Sequence, residues 1–147
     1  MVNGYGKAYS QAYQRSAVST MDQRKMIVLM YEGAIKFLSI AADKQRKKDY
    51  YAAHTNILRG KSIIAELMAS LNLESGGDIA ANLQRLYFYM FNELIDANLE
   101  KSPERIDAVV ELLRDLRSGW QSLGKPETPA PAPSPGAARS KSINVRG

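Results

Sequence analysis

Met26-Ile27-Val28-Leu29-Met30-Tyr31-Glu32-Gly33-Ala34-Ile35-Lys36-Phe37-Leu38-Ser39-Ile40-Ala41-Ala42-Asp43 is the stretch that decides the fold class. At about 100° per residue, Ile27, Tyr31, Ala34, Leu38 and Ala41 fall in one stripe, as in an amphipathic α-helix. Met26, Leu29, Met30, Phe37 and Ile40 widen that stripe on one flank, and Val28 and Ile35 on the other. Only Glu32, Lys36, Ser39 and Asp43 make a narrow polar strip. A helix so nearly apolar is either the central one of a bundle or carries a second surface for a partner.

On either side of this stretch the chain is punctuated like a helical bundle. Thr20 with Gln23 has capping-box spacing and predicts a helix from there to about Lys48, whose last turn holds Lys44, Arg46, Lys47 and Lys48. Asp49 is placed to cap a second helix ending near Leu71. Asn72 to Gly77 reads as a turn, and Ser75 with Asp78 as a second box opening a helix that reaches about Lys101. Ser102-Pro103-Glu104 then sets a cap, a first-turn proline and a first-turn acid for a fourth helix, which ends between Trp120 and Gly124. Period-two alternation is absent from the whole block. Connections this short make successive helices antiparallel, so the expected fold is all-α, an up-down four-helix bundle over residues 20–123. Residues 1–19 form a leader. Residues 124–147 open with alternating proline and alanine, which neither continues a helix nor has much to bury, and read as a disordered tail.

Composition and charge exclude more than they assign. The net charge is +5, yet residues 22–123 hold fourteen basic and fourteen acidic side chains, so the surplus lies on the two tails. A folded nucleic-acid binder carries its basic footprint on the fold, so nucleic acid is not the expected partner. No apolar run is long enough to insert stably in a membrane, the N-terminus does not resemble a secretory signal, and there is no cysteine. Together these point to a reducing, cytoplasmic setting. His54 is the only histidine. With no metal-ligand spacing, phosphate loop or nucleophile elbow, neither catalytic residue, metal nor cofactor is expected, and the reading is of a protein that binds another polypeptide.

Apolar surplus marks where that partner would sit. The fourth helix is ordinary, with Ile106, Val109, Val110, Leu113, Leu116 and Trp120 on one face. The third has a core face of Ile79, Leu83, Leu86, Tyr87, Met90, Leu94 and Ala97, and beside it a second stripe of Phe88, Phe91, Ile95 and Leu99. The second helix adds Tyr51, Leu58, Ala65 and Ala69 off its core face. Packing between helices in a wide bundle competes as an explanation for any one of these residues. For three helices together, a partner-binding groove of Tyr51, Leu58, Phe88, Phe91, Ile95 and Leu99 is the stronger reading. In the leader, Tyr5, Tyr9 and Tyr13 recur every four residues, so a helical turn lines them up as a lid for such a groove.

Several of these segments resemble the flagellin-specific export chaperones, the FliS family. The likeness runs through Ala8-Tyr9, Ala17-Val18-Ser19-Thr20 and Ile27 to Ile35, then Ile79 to Met90, Ala97-Asn98, and Leu112 to Trp120. It covers about residues 8–123 in order; the proline-rich extension lies outside it. The resemblance implies a bundle that holds the C-terminal segment of flagellin in the cytoplasm, prevents premature polymerisation and delivers the subunit to the type III export gate, and so also implies contact with a component of the export apparatus. It further implies that the leader with Tyr9 occupies part of the groove until flagellin displaces it. A generic helical adaptor or homo-oligomer burying the same stripes remains the alternative, as does an anionic-surface binder working through the basic tails.

Overall fold

The computed structural model describes residues 16–123, which form four α-helices: α1 Ser16–Arg46, α2 Tyr50–Ala69, α3 Leu73–Glu100 and α4 Pro103–Leu123. No strand occurs among the described residues. α1 packs broadly along α2 and α4, while α3 meets the same two helices more narrowly, leaving α1 and α3 diagonal to each other. The result is the up-down bundle that the short connections require.

The caps explain the turns. α1 ends with Lys48 in the left-handed region at φ 61°, where Asp49 N–H reaches back to the Lys44 carbonyl at 2.8 Å. Asp49 Oδ1 then accepts from Ala52 N–H at 3.3 Å and opens α2. Lys101 repeats the device after α3, at φ 51°, with Ser102 N–H on the Ala97 carbonyl at 3.0 Å. Ser102 Oγ accepts from Arg105 N–H at 3.3 Å and starts α4 at Pro103.

Two starts differ from the sequence expectation. α1 runs through Thr20 from Ser16, so Thr20 with Gln23 is not its beginning. At α3 the cap is Asn72, whose Oδ1 accepts from Ser75 N–H at 3.1 Å; a single turn follows before Gly77 breaks the helix at φ 55°, ψ −138°. The expected turn over 72–77 is thus a capped helical turn with a glycine joint at its end.

Tyr31, Leu38, Ile57, Ile64, Leu67, Met90, Leu94, Ile106, Val109 and Leu113 are fully buried and come from all four helices. Ile27 of the core stripe and Met30 and Ile35 of its flanks pack half-buried against this cluster. The extra width of α1 therefore serves mainly its place between α2 and α4, with Met26 and Leu29 left exposed. Ile79, expected in the core, is 73% exposed. It lies on the inward side by periodicity, but beyond the level at which α2 has ended at Ala69.

One polar node sits in this core. The hydroxyls of Tyr31 and Tyr87 hydrogen-bond across the bundle, and Trp120 Nε1–H donates to Tyr31 Oη at 3.1 Å. Burial first, then the neighbouring Tyr87, pushes the Tyr31 phenol well above its ordinary range, and burial raises Tyr87 to about 12, so both stay neutral. At the α1–α2 contact the helices approach so closely that a Cβ on Gly60 would fall 2.6 Å from Leu38 Cγ.

Two expectations follow for stability. Tyr31→Phe removes the partner of both Tyr87 and Trp120 and should cost about 2–4 kcal/mol, whereas Tyr87→Phe leaves the Tyr31–Trp120 bond intact and should cost about half as much. Gly60→Ala should destabilise by about 1–3 kcal/mol, because Leu38 is enclosed and overpacking outweighs the gain in helix propensity. Gly119→Ala, with nothing within 4 Å of the added carbon, should stabilise by up to about 1 kcal/mol. Urea denaturation of the four variants checks the order, and equal costs for the two tyrosines would contradict the node.

Candidate functional site: an apolar groove across α2 and α3

Two contacts fix how α2 lies against α3. Asn98 Nδ2–H donates to His54 Nδ1 at 2.9 Å, and the Lys61 ammonium sits 5.1 Å from the centre of the Phe91 ring. The antiparallel register they define puts Tyr51 level with Leu99, Leu58 with Ile95, and Ala65 with Phe88. Tyr51, Leu58, Ala65, Phe88 and Ile95 are three or four positions from an anchoring contact, and Leu99 is four from Ile95, so they share the flank that borders the seam. From Tyr51 to Ala65 the row spans about 21 Å at about 1.5 Å per residue.

Tyr51 is 82% exposed, Leu99 74% and Phe88 59%, with Leu58 also exposed and Ile95 half-buried. A contiguous row of large apolar side chains facing solvent is what a partner surface looks like. Phe91 differs from its neighbours in the expected groove: it is half-buried against the core beneath Lys61, so it forms floor rather than rim. Sequence reasoning did not assign Lys61, His54 or Asn98 to the groove, where they meet at the seam between α2 and α3. Their signal was available in the pattern, since Lys61 is the one charged residue on that flank of α2. The lid residues Tyr5, Tyr9 and Tyr13 lie outside the described residues.

Charge is distributed unevenly round the bundle. Three of the five acids of α3 turn towards α4, where Arg105 meets Glu93 at 3.3 Å, Asp96 at 3.5 Å and Glu100 at 3.5 Å. α4 is also tied to α1 by Arg117–Glu32 at 2.9 Å and Arg46–Asp107 at 2.6 Å. The concavity between α1 and α4 is lined by Asp43, Arg46, Asp107, Glu111 and Arg114, of which Arg46 and Asp107 pair. Among the described residues no group of three or more His, Cys, Asp or Glu is placed to hold a metal ion, and no helix is long and apolar enough to cross a membrane.

The family described as flagellar protein FliS matches this chain over residues 5–127, which includes all four helices. The chain belongs to the FliS family. The FliS flagellar secretion chaperone of Salmonella typhimurium is 33% identical over 118 residues, covering 80% of this chain and 87% of the relative. FliSB of Pseudomonas aeruginosa, also named a flagellar secretion chaperone, is 33% identical over 119 residues, 80% of this chain and 93% of the relative. FliS of Vibrio cholerae is 29% identical over 122 residues, 83% and 90%. Chaperone is a non-enzymatic description, and a row of exposed apolar side chains has the chemistry of a binding surface.

If the rim is a surface and the floor is core, the two should respond differently to charge. Leu99→Asp should change stability by less than about 0.5 kcal/mol, while Leu94→Asp, on the inward face of the same helix and fully buried, should abolish cooperative unfolding. Thermal melts followed by circular dichroism compare them.

Proposed function

We propose that the α2–α3 groove holds the C-terminal segment of flagellin in the cytoplasm, keeps it from polymerising prematurely and presents the subunit to a component of the flagellar export apparatus. The observation that carries this reading is the level row Tyr51–Leu99, Leu58–Ile95 and Ala65–Phe88, apolar and exposed apart from the half-buried Ile95, on a bundle of the FliS family. A groove between two helices accepts an amphipathic segment that folds as it binds.

Magnitudes limit the length of that segment. Five anchors (Tyr51, Leu58, Phe88, Ile95 and Leu99) at about 2 kcal/mol each supply on the order of 10 kcal/mol gross. Ordering the client costs about 2–5 kcal/mol, before the loss of rigid-body freedom. Micromolar or tighter binding needs about 8 kcal/mol net, so the client extends past this row and finds further anchors. The leader with Tyr5, Tyr9 and Tyr13 serves in this proposal as a lid that the client displaces, which lowers apparent affinity by the fraction of closed molecules.

Calorimetric titration with a flagellin C-terminal segment tests the proposal. Ile95→Asp should retain a cooperative melt and weaken binding by about thirtyfold, as for a buried hot-spot contact. A chain ending at Leu123 should bind as the full chain does, and removal of residues 1–17 should tighten binding through faster association. Unchanged affinity in Ile95→Asp, or a folded chain ending at Leu123 that no longer binds, would place the site elsewhere. A mass measurement showing the free chain paired through this face would favour self-association.

A further inference from the structure

Between the Leu58–Ile95 and Ala65–Phe88 levels, the groove contains a single charged side chain among the described residues. Lys61 lies half-buried on the α3-facing flank of α2, its ammonium over the ring of Phe91. The carboxylates nearest in sequence on α3 are engaged elsewhere: Glu93, Asp96 and Glu100 all pair with Arg105 on the side of α4. Glu66 of α2 lies on the opposite flank by helical periodicity. No salt bridge to Lys61 occurs among the described residues, although Lys47, Arg46, Arg105 and Arg117 all have one. The other polar groups of the floor, His54 and Asn98, bond to each other. Arg59, two residues earlier on α2, turns the other way over Phe37 of α1, 5.6 Å from its ring centre, so Lys61 is the cation that α2 commits to the groove.

In the open groove water and the Phe91 ring together satisfy this ammonium. A helix laid along the apolar row displaces that water. An ammonium left without a partner in a dry contact opposes binding, whereas a carboxylate placed above it gives a charge-assisted pair. We infer that Lys61 selects the charge pattern of the bound segment, requiring a carboxylate over Phe91 flanked on the same helical face by apolar residues one turn before and one turn after. Those flanking residues seat at Leu58–Ile95 and at Ala65–Phe88. The inference rests on the groove being the flagellin site proposed above, and it names a specificity determinant within it. A neutral or basic amphipathic helix of equal apolar content is thereby rejected, because it leaves the ammonium buried and unpaired.

The test uses the full chain titrated with the flagellin C-terminal segment. Lys61→Met keeps the apolar stem and removes the charge; it should melt as the unsubstituted chain does and bind about tenfold more weakly. Lys61→Arg, which keeps the charge, should stay within about threefold, and Lys61→Glu should lose about a hundredfold through repulsion. Changing each acidic residue of the segment to lysine in turn, one position should restore binding to Lys61→Glu while weakening binding to the unsubstituted chain. Equal or tighter binding by Lys61→Met, or the absence of any rescuing position, overturns the inference and leaves the groove assignment standing. Failure of the unsubstituted chain to bind the segment overturns the groove assignment, and this inference with it. The first titration separates the two failures.

Discussion

A hydroxyl group placed in the middle of an apolar core has to be answered, and that of Tyr31 is answered twice, by Tyr87 from α3 and by Trp120 from α4. Leaving such groups unpaired costs about 1–3 kcal/mol each, so only rotational settings of the helices that close the node are stable. The setting of α3 then determines its outer surface. With Tyr87 turned inward, the next residue, Phe88, is carried about 100° round the helix and out onto the flank beside α2. Ile95 and Leu99 follow on the same flank at seven and eleven residues, so the position of the apolar row depends on a hydrogen bond in the core.

The ion pairs sort the surface by function. Arg105 gathers three α3 carboxylates and holds them against the start of α4, and Arg46 and Arg117 join α1 to α4. Exposed pairs of this kind contribute little stability individually. Their larger effect is on placement: α3 presents its acids to one neighbour and its second apolar stripe to the other. The flank bordering α2 is therefore free of carboxylates among the described residues, and suited to an apolar segment.

Much of this was readable in the chain itself. The cap at Asp49 and the Ser102-Pro103-Glu104 restart are local, decided by a few adjacent residues, and the structure places them where the pattern did. Tyr51, Leu58, Phe88 and Leu99 stand off their core faces because helical periodicity fixes direction once the inward side is known. What escaped depends on neighbours distant in sequence. Ile79 lies on the inward side by periodicity but has no α2 left beside it, and Phe91 packs against the core beneath Lys61. Gly60 gives no periodic signal, because a missing side chain matters only through Leu38 opposite. The capping box at Thr20 is a local signal that the continuing α1 helix overrides.

The closeness of α1 and α2 at Gly60 also bears on how the molecule moves. α2 is drawn onto α1 where glycine lets Leu38 rest against the backbone, whereas its seam with α3 is spaced by a ring and an ammonium and is the narrower contact. The α1–α2 hairpin is thus the more closely packed member, and the seam with α3 the contact expected to yield first. Backbone amides of α3 should then exchange with solvent through local openings that leave α1 protected, a graded pattern in place of one global rate. Under the function proposed above, a client lying across the seam would join the two members and slow exchange along α3.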